Sequence, residues 1–245
     1  MLYLLAAIGL LAGMINVLAG GGSLLTLPIL VLCGYTGPVA NGTNRIAILV
    51  QNVTAVLAFR RGGYRGFRLG FQLALAALPG AVLGAWLGTR LEGPWFNRVL
   101  AGLMLVVLAF MIRGNRPESA TAAASPPRKK TALGLMVLVG LYGGFIQAGV
   151  GFLLMFVLHR ILRLDLVEVN MHKVLIVGIY TIPAIGVFAW QGNVVWQAGL
   201  ALAVGNGVGG WLGSRLTLRG GEAVIRPVLV LAILGLAARL IYDSF

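Results

Sequence analysis

Acidic side chains are scarce in this chain. Six Asp and Glu stand against 19 Lys and Arg in 245 residues, with only two histidines and one cysteine. The carboxylates are Glu92, Glu118, Asp165, Glu168, Glu222 and Asp243, all in links between apolar stretches or near the ends. A carrier of protons or sodium ions usually keeps a carboxylate inside the membrane, so cation transport is disfavoured. His159 and His172 are too few for a histidine-rich metal or haem site. Cys33 alone supports neither an internal disulfide nor a two-cysteine relay. There is no P-loop pattern, so ATP is not the direct drive. No cofactor is expected, and the chain does not read as an enzyme.

Apolar residues are what the sequence has in excess. They make up 59%, and charged residues only 10%, where a soluble domain carries about 25% charged. Mean hydropathy is +0.96. Lipid offers exposed backbone groups no water, so only helices and closed barrels satisfy them. The apolar runs are continuous rather than alternating, which selects helices. The fold class is therefore an all-α polytopic membrane protein. The net charge of +13 reads as Lys and Arg in loops on one membrane side. Nucleic acid is excluded as a partner, since no basic helix or aromatic-basic ladder is present.

Ten segments are expected. Segment a covers residues 2–18, without the basic start of a signal peptide. A break at Gly20-Gly21-Gly22 precedes a short segment b, 23–33, and a polar link, 34–41, leads into segment c, 43–59. Segment d covers 67–91, and segment e runs from Gly93-Pro94 to about 112. Residues 114–130 are rich in Pro, Ala, Ser and basic residues and read as a linker. The plan then recurs: a′ 132–147, a break at Gly149-Val150-Gly151, b′ 152–162, c′ 169–190, d′ 194–216 and e′ 223–242. The expected domains are residues 1–113, the cytoplasmic linker 114–130, and residues 131–245.

The repeat is visible in the residues. Gly84-Ala85-Trp86-Leu87-Gly88-Thr89-Arg90-Leu91 matches Gly209-Gly210-Trp211-Leu212-Gly213-Ser214-Arg215-Leu216, and Gly13-Met14-Ile15-Asn16 matches Gly144-Phe145-Ile146-Gln147. Arg45 pairs with Lys173, and Arg98 with Arg226. Five segments per half is an odd number, so the halves should be inverted. With the c–d turn in the cytoplasm, all basic residues but Arg45, Arg90, Arg98 and Arg239 fall on that side. Both termini then face outward, periplasmic in a bacterial inner membrane. That parity counts b and b′ as crossings; re-entrant segments would change it.

Two constellations could carry chemistry. The first is the pair of glycine breaks, Gly20-Gly21-Gly22-Ser23 and Gly149-Val150-Gly151, with Asn16 and Gln147 just before them. Ser23 is a good N-cap, and a new helix presents free N–H groups that attract anions. Close helix packing through small residues is the alternative use of such glycines. The second is Asn41-Gly42-Thr43-Asn44-Arg45, leading into Gln51, Asn52 and Thr54. An arginine inside a span needs a partner. An incoming anion could be the counter-charge, or Arg45 could snorkel to the outer interface. Asn170-Met171-His172-Lys173 is the corresponding cluster, and it also fits a cytoplasmic boundary. Trp86 and Trp211 read as anchors at opposite interfaces.

Those stretches, above all Ala19 to Pro28, Ala40 to Arg45 and the paired Gly-x-Trp-Leu-Gly-x-Arg-Leu runs, resemble the sulfite exporter TauE/SafE family of membrane transporters. The resemblance covers essentially the whole chain. It implies transport of sulfite, thiosulfate or an organosulfonate such as sulfoacetate; the residues alone give a small oxyanion. The expected function is a secondary transporter working by alternating access. A passive anion channel on the same scaffold is the alternative. The expected substrate-binding set is Asn16, Gly20, Gly21, Gly22, Ser23, Asn44, Arg45, Gln51, Gln147, Gly149, Gly151, His172 and Lys173. Replacing Arg45 with Ala is expected to weaken transport more than folding. The expected partners are the anion and the lipid bilayer, with a homodimer left open.

Overall fold

A computed structural model describes residues 1–113 and 128–218. The expected segment e′, most of the linker, and Arg226 and Arg239 lie outside the described residues. Within them the chain is all-helical. The elements are α1 (Leu2–Ala19), α2 (Ser23–Leu32), α3 (Gly37–Arg61), α4 (Phe67–Gly88), α5 (Gly93–Arg113), α6 (Lys129–Phe145), α7 (Val150–Met155), a π-helical continuation of α7 (Phe156–Ile161), α8 (Leu166–Trp190) and α9 (Trp196–Thr217). Among the described residues, α1, α4 and α8 are long and apolar enough to cross a membrane, with mean hydropathies of 2.2, 1.5 and 1.8. The chain is a multi-pass membrane protein. Its outward faces carry large apolar side chains such as Leu138, Ile182 and Val204, at 60%, 59% and 67% exposure, as a lipid-facing surface should.

Both expected breaks are present, and each turns on a left-handed glycine. Gly20 has φ 80° and closes α1; Gly149 has φ 72° and opens α7. A side chain would strain that conformation. Helix α2 has 10 residues, about 15 Å at 1.5 Å per residue, half of the roughly 30 Å hydrocarbon core. The two breaks touch. A Cβ on Gly20 would fall on the backbone of Gly151, and one on Gly151 would fall on Gly20.

Two boundaries differ from the sequence reading for physical reasons. Helix α3 begins at Gly37 with Pro38 in its first turn. The polar run from Asn41 to Arg45 therefore lies inside a helix, where the reading had a link running to Asn41. Residues 37–41 read as a link because Gly, Pro and Asn in close succession are turn-forming types. Ser23 does not cap α2: the cap position is Gly22, with no side-chain cap bond. Its hydroxyl instead accepts from Asn44 Nδ2 at 3.3 Å. At α8 a capping box forms, Asp165 accepting from Val167 and Glu168 N–H groups. It starts that helix three residues before the expected 169.

The packing is swapped between the two halves. Helix α1 packs most extensively against α9, and α4 against α6. Contacts advance in the same direction along both members of each pair, so each pair is parallel. Glycines make the approach close. Cβ atoms on Gly80, Gly84 and Gly88 would fall on the carbonyls of Val137, Leu141 and Phe145; on Gly205, Gly209 and Gly213 they would fall on those of Ala6, Leu10 and Met14. Gly140 and Gly144 stand likewise on Ala77 and Ala81, and Gly9 and Gly13 on Leu202 and Asn206. This is small-residue packing of the kind that joins membrane helices. The residues used in one pair are those that the sequence match aligns with the other.

Replacing Gly84 or Gly209 with Leu should destabilise the protein by about 1–3 kcal/mol or more, because backbone has to move. Gly134→Ala, with nothing near its Cβ position, should be neutral or slightly stabilising. Thermal unfolding in detergent reads the difference. Equal melting of G84L and G134A would contradict the packing.

Candidate functional site

Four helices, α1, α3, α7 and α8, and the second break converge where the breaks meet. They enclose a polar cavity of about 10 Å³ lined by Asn16, Gln51, Asn52, Gln147, Val150, Gly151, Lys173, Val174 and Val177. That volume holds roughly one water, less than any sulfur oxyanion needs. Five of the expected site residues line it: Asn16, Gln51, Gln147, Gly151 and Lys173. They come from α1, α3, the second break and α8, so both halves contribute.

The lining is rich in donors. Asn16 Nδ2 donates to Gln51 Oε1 at 3.0 Å, which leaves Gln51 Nε2 buried without a partner. Asn52 Nδ2 is buried and unpartnered too. Gln147 Nε2 donates to the Tyr180 hydroxyl at 3.3 Å. Tyr180 on α8 holds Gln147 as Gln51 on α3 holds Asn16. Lys173 is 2% exposed. Its ammonium donates to Val17 O at 2.8 Å and to Asn170 Oδ1 at 2.6 Å. The side chain thus points into the bundle and not out to solvent.

Arg45 sits differently. It is fully buried, so it does not snorkel. Its guanidinium donates to Gly143 O at 3.1 Å, Gln147 Oε1 at 3.1 Å, Asn41 Oδ1 at 3.2 Å, and Gly144 O, and lies over the Phe188 ring at 4.7 Å. Two of these acceptors, Gly143 O and Gly144 O, stand at the C-terminus of α6, where the helix dipole is negative. It does not line the cavity, but it holds Gln147, which does. Lys173 makes the matching contact to the C-terminal turn of α1. Each buried cation thus ties one half of the chain to the other.

The remaining expected residues surround this centre. Asn44 bridges α3 to α2, accepting from Thr26 Oγ1 at 2.7 Å and donating to Ser23. Gly20, Gly21, Gly22 and Ser23 form the buried first break, and Gly149 the turn of the second. His172 lies away from the cavity. Its ring is edge-on to Tyr64 at 6.1 Å, and Nδ1 is buried without a partner. Burial raises the Tyr64 phenol above its usual range, helped by Glu168 and Asp165. Among the described residues Arg45 and Lys173 are the buried charges, and no carboxylate is buried with them.

Sequence reasoning named Asn52 in the polar run but left it out of the site, where it lines the cavity beside Gln51. It missed Tyr180. The signal existed: Tyr180 follows Lys173 by seven residues, as Asn52 follows Arg45.

The profile described as Sulfite exporter TauE/SafE matches residues 5–240. The chain belongs to that family. It is similar to a probable membrane transporter protein, ORF9, of Sinorhizobium sp, at 30% identity over 95% of this chain and 89% of the relative. The probable membrane transporter protein YfcA of Escherichia coli K12 is 28% identical over 100% of this chain and 91% of its own length. A probable membrane transporter protein of Haemophilus influenzae is 25% identical, over 100% and 96%. No solved structure matches. The chain is a membrane transporter of this family, and these relatives are named as transporters, not enzymes.

The contacts of Arg45 alter the expectation that its loss spares folding. Arg45→Ala leaves the buried carbonyls of Gly143 and Gly144 unpaired, at about 1–3 kcal/mol each. The melting temperature should fall clearly, and Arg45→Lys should recover part of it. A melting curve of R45A that overlays the parent would show the guanidinium to be dispensable for folding.

Proposed function

We propose that the chain is a secondary transporter for a small anion of the sulfur oxyanion or organosulfonate class, using the central cavity as its binding site. The donor set carries this reading: the buried Lys173 ammonium beside the unpartnered Gln51 Nε2 and Asn52 Nδ2, with no described carboxylate to compete. Such a set suits an anion's oxygens and repels cations. The family description supplies sulfur; the chemistry of the lining supplies only the anion.

Residues 1–113 and 131–245 act as inverted halves in this reading, joined by a cytoplasmic linker at 114–130. The swapped pairing of α1 with α9 and α6 with α4, through corresponding glycines, supports it. The expected setting is a bacterial inner membrane with both termini periplasmic, as the basic loops suggest. Movement of one half against the other would widen the cavity and expose it alternately. An enclosed space of about 10 Å³ favours this over a standing channel. On entry the anion takes over part of the Lys173 bonding now directed at Val17 O. Gln147 and Asn16 present amide groups from the two breaks.

The test is flux into proteoliposomes with sulfite, thiosulfate, sulfate, sulfoacetate and taurine, with and without a pH gradient. Saturable uptake and counterflow of at least one sulfur oxyanion are expected. Lys173→Gln should lower kcat/KM about 10- to 100-fold, as loss of a charged hydrogen bond worth about 1.5–3 kcal/mol implies. Flux without saturation or counterflow would favour a channel. Folded K173Q with parental kinetics would remove the lysine from the site.

A further inference from the structure

A long apolar groove runs between α3 and α9 on the lipid-facing side. Its volume is about 570 Å³, and its walls include Val50, Leu200, Val204, Val208, Trp211 and Leu212. Leu200, Val204 and Val208 are 56%, 67% and 48% exposed. The one hydroxyl in its wall, Thr54 Oγ1, is already bonded to the Gln51 and Gly207 carbonyls at 2.9 and 2.8 Å. The groove is therefore almost wholly apolar along its length. From Leu200 to Leu212 it follows α9 for about 18 Å at 1.5 Å per residue. That is close to one leaflet of a roughly 30 Å hydrocarbon core.

Charge sits at one end. Trp211, part of the groove wall, stacks under two guanidinium groups, Arg61 at 5.0 Å and Arg215 at 5.0 Å. Both arginines are exposed. Arg61 is the last residue of α3, and Arg60 and Arg61 close that helix together. Stacking on the indole fixes both guanidiniums in place and leaves their N–H edges free to meet an anion. Basic sites between membrane helices take anionic lipid head groups, and the guanidinium fork suits phosphate.

We infer that this groove is a binding site for one anionic phospholipid, its acyl chain lying along α9 and its phosphate held by Arg61 and Arg215 over Trp211. Charge complementarity at the end, and apolar walls one leaflet long, select this occupant over a second copy of the chain. A second groove provides the internal contrast. Trp86, Pro183, Val187 and Trp190 line a space of about 460 Å³ elsewhere on the molecule. There the matching indole, Trp86, carries one arginine among the described residues, Arg90 at 3.8 Å. One cation in place of two should hold an anionic head group less well.

The experiment is native mass spectrometry of the purified full chain in detergent. The probes are phosphatidylglycerol and phosphatidylcholine with matched acyl chains. The parent should retain one phosphatidylglycerol in preference to phosphatidylcholine. The double variant R61Q/R215Q should lose that preference, with bound lipid falling on the order of tenfold, while R90Q keeps it. Val208→Trp should fill the groove and lower lipid retention with both arginines intact. Circular dichroism and gel filtration confirm that each variant is folded; both arginines are exposed, so their replacement leaves the core untouched. Equal retention of the two lipids would overturn the site. So would undiminished phosphatidylglycerol on R61Q/R215Q, or a lipid-free dimer that V208W dissociates.

Discussion

Backbone carbonyls at the end of an interrupted helix find no water in the interior of a membrane. In this protein two helices stop inside the bundle, α1 at Ala19 and α6 at Phe145. Each end is met by a cation from the opposite half: Lys173 on Val17 O, and Arg45 on Gly143 O and Gly144 O. A buried cation is costly without partners, and so is an unpaired carbonyl. Each solves the other's problem. The breaks persist because the cations are there, and the cations stay buried because the breaks expose acceptors. The cavity lies between these two arrangements.

That solution constrains what the rest of the chain contains. The cations need no carboxylates, and among the described residues none is buried. Polar residues gather instead as amides: Asn16, Asn41, Gln51, Asn52, Gln147 and Asn170. Amides can bridge helices and still present donors inward. Outside this centre, packing relies on glycine. Pairs α1–α9 and α4–α6 approach backbone to backbone, which gives attraction in a solvent where apolar burial gives little.

Much of the fold was legible in the sequence. Long apolar runs gave the helices, and the two glycine breaks fell where the chain turns. Repeat matching aligned Gly84 with Gly209 and Gly13 with Gly144, the same glycines that make the close contacts. The site was partly legible, since Asn16, Gln51, Gln147, Gly151 and Lys173 do meet. Two features were hidden. Periodicity cannot show that Arg45 reaches the end of α6, nearly one hundred residues later in the chain. Nor can it show that residues 37–41 already belong to the helix of segment c, because Gly37, Pro38 and Asn41 are turn-forming types. The π-helical turn at Phe156–Ile161 left no signal that the sequence reading used.

Cys33 alone supports neither a disulfide nor a two-cysteine relay. It closes α2, just beyond Leu32, and is half-buried. Its position gives it an experimental value. A maleimide dye or spin label added to this chain has one thiol to react with, and that thiol marks the far end of the short helix that begins at the first break. The chain therefore carries a native reporter on the element whose displacement any rearrangement at the breaks would change, with no cysteine to remove beforehand.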